Sequence, residues 1–138
     1  MTETKRMIAD VNWTGGLRFT ARKPGGPPIA IDADGVEAPS PLVLLLCAAG
    51  GCAGADVLAI LEKKRIKLTR FQVELGGHRR DDYPKRFTEI WIRFTLAGGG
   101  VTETAARQAV DLSVEKYCSV ILSLNPDIPV TTEIVIEG

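Results

Sequence analysis

The sequence has little of what several classes of protein depend on. Among its 138 residues there is one histidine, aromatic residues make up 6%, and 17 Lys and Arg balance 17 Asp and Glu. Binding to phosphate backbones requires surplus cations, so this balance predicts that the chain has no nucleic acid partner. The three cysteines are an odd number and no apolar run follows Met1–Arg6, so neither a disulfide-paired secreted framework nor a signal peptide is expected. We therefore expect a cytoplasmic protein.

Charge is also scarce in one long segment, because residues 41–61 contain a single charged residue, Asp56. This length is at the lower limit for a membrane-spanning helix. The segment nevertheless contains Gly50, Gly51 and Gly54, and the charged residues Glu62–Arg65 follow it. We interpret it as a helix buried inside a globular protein, and we expect no association with a membrane.

Alternating apolar and polar residues predict strands on both sides of this helix. A hairpin is expected in the first 22 residues, with its turn at Thr14–Gly16. The strand that begins near Phe71 should end near Gly76–Gly77, followed by a polar loop over His78–Lys85. The predicted strands cover residues 7–13, 17–22, 29–32, 71–77, 89–96 and 128–136.

Two helices are predicted from their capping residues and apolar spacing. Ser40 followed by Pro41 is typical of a helix start, and this helix should continue to about Arg65. Thr102 should cap a second helix, which Asn125–Pro126 ends. The order of three strands, a long helix, two strands, a helix and a strand predicts one α+β domain over residues 1–138. Its sheet should be mostly antiparallel and lie around the apolar helix.

The first helix is apolar on every side and needs more cover than one sheet and one other helix supply. We expect a second copy of the chain to provide it, in a two-fold dimer with the long helix near its centre. Two interior glycines, Gly50 and Gly51, each cost the helix about 1 kcal/mol relative to alanine. Either another backbone approaches closely there, or the helix bends.

The cysteines are the residues best suited to chemistry. Cys47, between Leu46 and Ala48, is interpreted as a small buried hydrophobic residue. Cys52 differs because the small residues around it leave space beside its sulfur, although Asp56, one turn later, would repel a thiolate unless it is paired. Cys118 lies at the border of the apolar face of the second predicted helix. Cys52 and Cys118 are therefore the candidate catalytic residues.

Other chemistries have less support in the sequence. Cys47 and Cys52 lie about 140° apart around a helix and cannot chelate a metal together, and His78 is the only histidine. We therefore expect no metal site and no other cofactor. The chain has no Gly-x-Ser-x-Gly elbow, phosphate-binding loop or dinucleotide fingerprint. Its basic clusters are most simply solvated, with a patch for an anionic ligand as the alternative.

Three segments carry a family resemblance. The first contains Ala38–Leu42, Leu44–Leu46, Gly50–Cys52 and Asp56–Leu61, the second is Tyr83–Thr88, and the third is Leu112–Val120. The two cysteines in these segments stand 66 positions apart. With these motifs the chain resembles the OsmC/Ohr family over nearly its whole length, and the sequence Glu-Lys-Tyr-Cys-Ser-Val is more similar to the general OsmC-like branch than to the Ohr branch.

The resemblance implies an OsmC-like α+β fold, in which antiparallel sheets wrap around long central helices in an intertwined homodimer with sites at the subunit interface. It also implies a thiol-dependent peroxidase that reduces organic hydroperoxides in oxidative-stress defence. By position, Cys52 would be the peroxidatic residue and Cys118 the resolving one. The Cys52 sulfenic acid would condense with Cys118 to a disulfide, which an external dithiol reduces. The implied partners are a second copy of the chain, a small hydrophobic peroxide and this dithiol.

The sequence departs from the family pattern at the group that activates the thiol. Well-studied members of the family stabilise the thiolate with an arginine from the N-terminal region, which a glutamate shortly before the cysteine of the central helix holds in place. Residues 29–52 contain no Arg or Lys, and Leu42 and Val43 occupy the region of that glutamate. The candidates to replace the cation are Arg18, Arg22 and Lys116.

Two other functions stay open. One is a non-catalytic dimeric module that binds a hydrophobic small molecule at the subunit interface, and the other is a thiol-based redox sensor. Consumption of an organic hydroperoxide in the presence of a dithiol separates the peroxidase from the binding module.

Overall fold

The computed structural model describes residues 6–138. The expectation that the N-terminal segment is not a signal peptide concerns residues 1–6, and most of these lie outside the described residues. The secondary structure follows the predicted order and confirms the α+β class. The chain divides into two compact units, of which the first ends at Leu45 and the second spans Leu46–Gly138. The single domain over residues 1–138 stays a prediction. The main elements are β1 Asp10–Gly15, β2 Arg18–Arg22, β3 Ile29–Asp32, α1 Pro41–Lys63, β4 Arg70–Arg79, β5 Phe87–Ala97, α2 Glu103–Leu112 and β6 Val130–Glu137.

The first unit contains an antiparallel sheet in the order β1-β2-β3, which includes the predicted hairpin. Asp32, at the end of β3, is buried, and its carboxylate accepts hydrogen bonds from the backbone N–H groups of Asp34, Val36 and Glu37. These bonds, that from Glu37 foremost, hold the pKa of Asp32 below its usual value. The Asp32 carboxylate therefore fixes the loop that leads towards α1.

The second unit contains a sheet in the order β4-β5-β6. β4 and β5 are antiparallel, whereas β5 and β6 are parallel because the segment with α2 carries the chain back across the sheet. Within residues 6–138, three of the four strand pairs are thus antiparallel, as the sequence predicts. The central strand β5 and helix α1 supply much of the core, with almost no exposure at Ile90, Ile92, Phe94, Leu96, Val57 and Leu61.

The prediction that Gly76–Gly77 end a strand is wrong. β4 continues to Arg79, so His78 and Arg79 belong to the strand and not to the polar loop. The neighbouring strand explains the glycines, because a Cβ at Gly76 would collide with the indole of Trp91 and a Cβ at Gly77 would lie 2.7 Å from the backbone oxygen of Glu89. The missing side chains make room for β5 and do not interrupt the strand.

The second predicted helix is correct at its start and wrong at its end. Thr102 caps α2, accepting a hydrogen bond from the Ala105 N–H at 3.1 Å, but α2 ends at Leu112. A π-helical turn over Ser113–Tyr117 and a 3₁₀ turn over Ile121–Ser123 follow. Burial explains the continued apolar spacing: Ile121 remains in the core although the α-helical hydrogen bonding has stopped.

Helix α1 is continuous and ends two residues before the predicted end. Its C-terminal turn is closed by Arg65, which has a positive φ of 61°. A Cβ at Gly50 would lie 2.5 Å from Cδ1 of Leu75, so the close approach at this glycine involves a side chain and not another backbone. By length and composition alone α1 could cross a membrane, a test that core helices of soluble proteins also pass.

Candidate active site

The two candidate cysteines lie close together in the second unit. Cys52 is in the middle of α1 and Cys118 follows the π-helical turn, and their sulfurs and a carboxylate oxygen of Asp56 all lie within 4.8 Å of one another. A disulfide has an S–S length of about 2.05 Å, so the sulfurs need to approach by at most about 2.8 Å. Cys118 is buried and Cys52 is half-buried, and both are free thiols. Cys52 is therefore the more accessible of the two.

Backbone hydrogen bonds fix the position of Cys118. Its N–H donates to the Ser113 carbonyl oxygen at 2.7 Å, which closes the π-helical turn. Its sulfur accepts a hydrogen bond from the Ile121 N–H at 3.5 Å. Cys118 itself has extended backbone, with φ of −70° and ψ of 100°. The sequence placed Cys118 on a helix face, and this is wrong because the helix has already ended.

Asp56 and Ser113 form the polar part of this site. The Ser113 hydroxyl, completely buried, donates to Oδ2 of Asp56 at 2.9 Å. This hydroxyl is the hydrogen-bond partner of a carboxylate that the sequence identified only as a group repelling a thiolate. A signal for Asp56 was present, since it is the single charged residue in residues 41–61 and lies one turn after Cys52. The sequence marked Ser113 only as a member of the motif Leu112–Val120 and gave it no role, because its bond to Asp56 depends on the turn after α2.

The environment of Cys118 keeps its thiol protonated. Burial raises the pKa of Cys118 to about 11, the Ile121 N–H opposes this rise, and the nearby Cys52 adds to it. At neutral pH the proton therefore stays on this sulfur. Cys118 is consequently a poor first nucleophile, since the thiolate is the reactive form.

Cys47 is exposed, so the prediction that it is a buried hydrophobic residue is wrong. The buried face of α1 includes Ala49, Ala53, Val57 and Leu61, which recur every four residues. Cys47 precedes Ala49 by two positions and is rotated from it by about 200° around the helix. It is not among the residues that approach the Cys52–Cys118 pair.

Two of the candidate cations have other partners. Arg18 forms an ion pair with Glu37 in the first unit, and the hydrogen bond and charge of Glu37 raise the pKa of Arg18. The Lys116 ammonium lies 5.4 Å from the centre of the Tyr117 ring. Among the Asp and Glu side chains of residues 6–138, Asp56 is the one that lies within 4.8 Å of both sulfurs.

An open cleft adjoins this site. It has a volume of about 570 Å³, and its lining includes Asp56, Ile60, Lys63, Lys64, Leu112 and Tyr117. Asp56 belongs to both the cleft and the sulfur pair. An apolar group in the cleft would contact Ile60 and Leu112 and would share the cleft with Asp56.

The fold and the paired sulfurs define an α+β protein with a two-cysteine site. A family model described as OsmC-like protein matches residues 33–133. Protein YhfA of Escherichia coli strain K12 is 41% identical over 126 residues, which cover 91% of this chain and 94% of YhfA. The chain belongs to the OsmC family, as its motifs predict.

Solved structures agree with this assignment. A hypothetical protein from Aquifex aeolicus VF5 is 32% identical with a TM-score of 0.84, and the match covers 98% of this chain and 100% of the other. An organic hydroperoxide resistance protein from Elizabethkingia anophelis is 15% identical with a TM-score of 0.75, covering 99% of this chain and 100% of the other. The second likeness shows the fold alone. The predicted OsmC-like fold is confirmed, whereas the intertwined dimer stays a prediction.

Proposed function

We propose that the protein is a thiol-dependent peroxidase that reduces organic hydroperoxides in oxidative-stress defence. The observation that carries the proposal is the approach of two free cysteines, 66 positions apart in sequence, to within 4.8 Å between their sulfurs. Membership of the OsmC family and the fold shared with an organic hydroperoxide resistance protein support a redox function in the response to stress.

The proposed reaction begins at Cys52. Its thiolate attacks the terminal peroxide oxygen, so that an S–O bond forms, the O–O bond breaks and the alkoxide leaves as the alcohol after taking a proton. Cys52 is thereby oxidised to a sulfenic acid. Cys118 then attacks the sulfenic sulfur, so that the S–S bond forms and hydroxide leaves as water. An external dithiol reduces the disulfide and returns two electrons and two protons.

The two sulfurs differ in the way that this reaction requires. Cys52 is half-buried and open to substrate, whereas Cys118 is buried and its pKa is raised to about 11. Cys118 must lose its proton before it attacks the sulfenic acid. That proton joins the leaving hydroxide to form water, and the Asp56 carboxylate lies within 4.8 Å of both sulfurs, beside this transfer. These differences support the peroxidatic role for Cys52 and the resolving role for Cys118 in the proposed reaction.

The cleft beside Asp56 suits a small hydrophobic peroxide. Its apolar lining residues Ile60 and Leu112 would contact the alkyl part, and Asp56, which also lines the cleft, lies within 4.8 Å of both sulfurs. Hydrogen peroxide has no alkyl group and gains nothing from this contact. The expected preference is therefore for alkyl hydroperoxides.

We also propose that the protein acts as a cytoplasmic homodimer. Helix α1 exposes apolar side chains, among them Val43 and Leu58, and only 28% of its most apolar 18-residue window is buried within one chain. A second copy would cover this surface. Light scattering should then give twice the 14.9 kDa mass of one chain. A reducing compartment suits three free thiols, and it is where a dithiol reductant is available.

The peroxidase is tested by following the loss of cumene hydroperoxide in the presence of excess dithiol. Wild-type protein should consume the peroxide catalytically, Cys52→Ser should abolish consumption, and Cys47→Ser is the matched control that should retain the wild-type rate. Wild-type protein should lose about 2 Da after one equivalent of peroxide, as a disulfide requires, and Cys118→Ser should not. Equal peroxide loss with wild type and Cys52→Ser would contradict the proposal.

The cleft also favours the second candidate, a non-catalytic module that binds a hydrophobic small molecule. Its volume of about 570 Å³ is within the range of small-molecule sites. In that case the chain would consume no peroxide, and it would bind a hydrophobic fluorescent probe in a saturable manner. Replacement of Leu112 by Asp should then weaken probe binding, whereas Cys52→Ser should not.

A further inference from the structure

The side chains of Cys52, Asp56 and Cys118 offer two sulfurs and one carboxylate oxygen within 4.8 Å of one another. We propose that these three side chains bind one Zn²⁺ ion when both cysteines are reduced. The proposal is independent of peroxidase activity, because it requires only the thiols and the carboxylate. It also differs from the expectation of no metal site, which considered the pair Cys47 and Cys52 and not this triad.

The distances in the triad are close to those of a tetrahedral zinc site. With Zn–S bonds of about 2.3 Å, two thiolates on one ion lie about 3.8 Å apart, and a thiolate and a carboxylate oxygen lie about 3.5 Å apart. The observed limit of 4.8 Å therefore leaves about 1 Å of adjustment. Cys52 and Asp56 are four residues apart on α1 and project from the same face, so small side-chain rotations close the site.

Two of the three ligands are already held by further hydrogen bonds. The Ser113 hydroxyl donates to Oδ2 of Asp56 at 2.9 Å, which leaves Oδ1 free to bind the ion. The Ile121 N–H donates to the Cys118 sulfur at 3.5 Å, an arrangement that also stabilises a thiolate. Metal ligands in proteins are typically oriented by such outer hydrogen bonds. The triad thus has suitable ligand atoms, and hydrogen bonds already orient two of its three side chains.

The donor set selects the metal. Two thiolates favour Zn²⁺ and other thiophilic ions over Mg²⁺ or Ca²⁺, which prefer sites made of oxygen ligands. Binding displaces the thiol protons of both Cys52 and Cys118, and the fourth position of a tetrahedral ion would be left for water. Because Zn²⁺ and the disulfide use the same sulfurs, a chain that holds the ion would be protected from oxidation.

Cobalt is the probe for the experiment, because tetrahedral Co²⁺ bound to thiolates absorbs strongly in the visible range and shows a sulfur-to-metal charge-transfer band. Reduced, chelator-washed full-length protein is titrated with Co²⁺ without oxygen, and the bound Co²⁺ is then displaced with Zn²⁺. We expect one Co²⁺ per chain, with both spectral features, and complete displacement by one equivalent of Zn²⁺. The Cys47→Ser control should bind identically.

Variants of the triad decide the outcome. Cys118→Ser should remove most of the charge-transfer band, and Ser113→Ala, which changes no ligand, should weaken binding by about 10–100-fold. Circular dichroism of each variant confirms folding, and if Asp56→Asn does not fold, Ser113→Ala provides the test of the carboxylate. Undiminished Co²⁺ binding in Cys118→Ser and Ser113→Ala, or no thiolate band in the wild type, would overturn the proposal. Protein that binds Zn²⁺ in this titration but, when metal-free and reduced, consumes no peroxide would uphold the proposal and refute only the peroxidase.

Discussion

The two adjacent glycines of α1 should respond in opposite ways to the same substitution. A Cβ at Gly51 would meet no atom of the described residues within 4 Å, apart from its chain neighbours and its own helix, whereas a Cβ at Gly50 would lie 2.5 Å from Cδ1 of Leu75. Both residues lie inside a continuous helix, where alanine is favoured over glycine by about 1 kcal/mol. The two variants therefore gain the same stability from replacing glycine by alanine in a helix, and they differ only in how the added methyl group packs.

The magnitudes follow from these contacts. Gly51→Ala should raise the free energy of unfolding by about 1 kcal/mol. Gly50→Ala should gain the same amount and lose about 1 kcal/mol through overpacking, because Leu75 is half-buried and its side chain must move. The expected net change for Gly50→Ala is therefore close to zero, about 1 kcal/mol below Gly51→Ala.

Urea denaturation followed by circular dichroism measures this difference, and thermal unfolding should separate the two variants by about 3–4 °C. If Gly50→Ala were as stabilising as Gly51→Ala, the contact with Leu75 would impose no restraint. A destabilising Gly51→Ala would show that the space beside Gly51 is occupied in solution. The first result would refute the assignment of the buried face of α1.

Three further predictions concern the core, the site and the surface. Leu61→Ala should lower the free energy of unfolding by about 2–5 kcal/mol in urea denaturation, because the Leu61 side chain is fully buried. Ser113→Ala should lower the same free energy by about 1 kcal/mol, because it removes the hydroxyl donor of the partly buried hydrogen bond to Asp56. The hydrogen bond and charge of Arg86 lower the pKa of Asp127. This pair should therefore stabilise the fold at pH values above the ordinary pKa of Asp, and the stabilisation should be lost as the pH falls through the lowered pKa. Stability curves of wild type and Asp127→Asn against pH should therefore converge in acid, and a constant gap would contradict this.

The order of the elements was predictable because each carries a local signal. Ser40–Pro41 begins α1, Thr102 begins α2, and the alternation in residues 89–96 marks β5. Gly76–Gly77 were misleading because the reason for these glycines is the indole of Trp91 on the adjacent strand, which a local pattern does not contain. The end of α2 was missed for the same reason, since the apolar spacing continues beyond Leu112.

The candidate site was predictable in part. Family motifs single out Cys52 and Cys118, and the structure places their sulfurs together. Ser113 and its bond to Asp56 were not predictable, because they depend on a turn whose hydrogen bonding leaves no mark in residue spacing. Cys47 was misjudged because α1 is apolar on all sides, so the sequence does not show which face the sheet covers.

The π-helical turn over Ser113–Tyr117 should tolerate substitutions at its exposed positions but not a change in its length. The turn fixes the direction of the Ser113 hydroxyl, at its first residue, relative to the Cys118 thiol, at the residue that follows it. Removing one residue between them would break the hydrogen bond from the Cys118 N–H to the Ser113 carbonyl oxygen, which closes the turn, and would turn the thiol relative to the hydroxyl. Substitutions at the exposed positions Glu115 and Lys116 should therefore be harmless, whereas a change in the number of residues there would take the second sulfur away from the first.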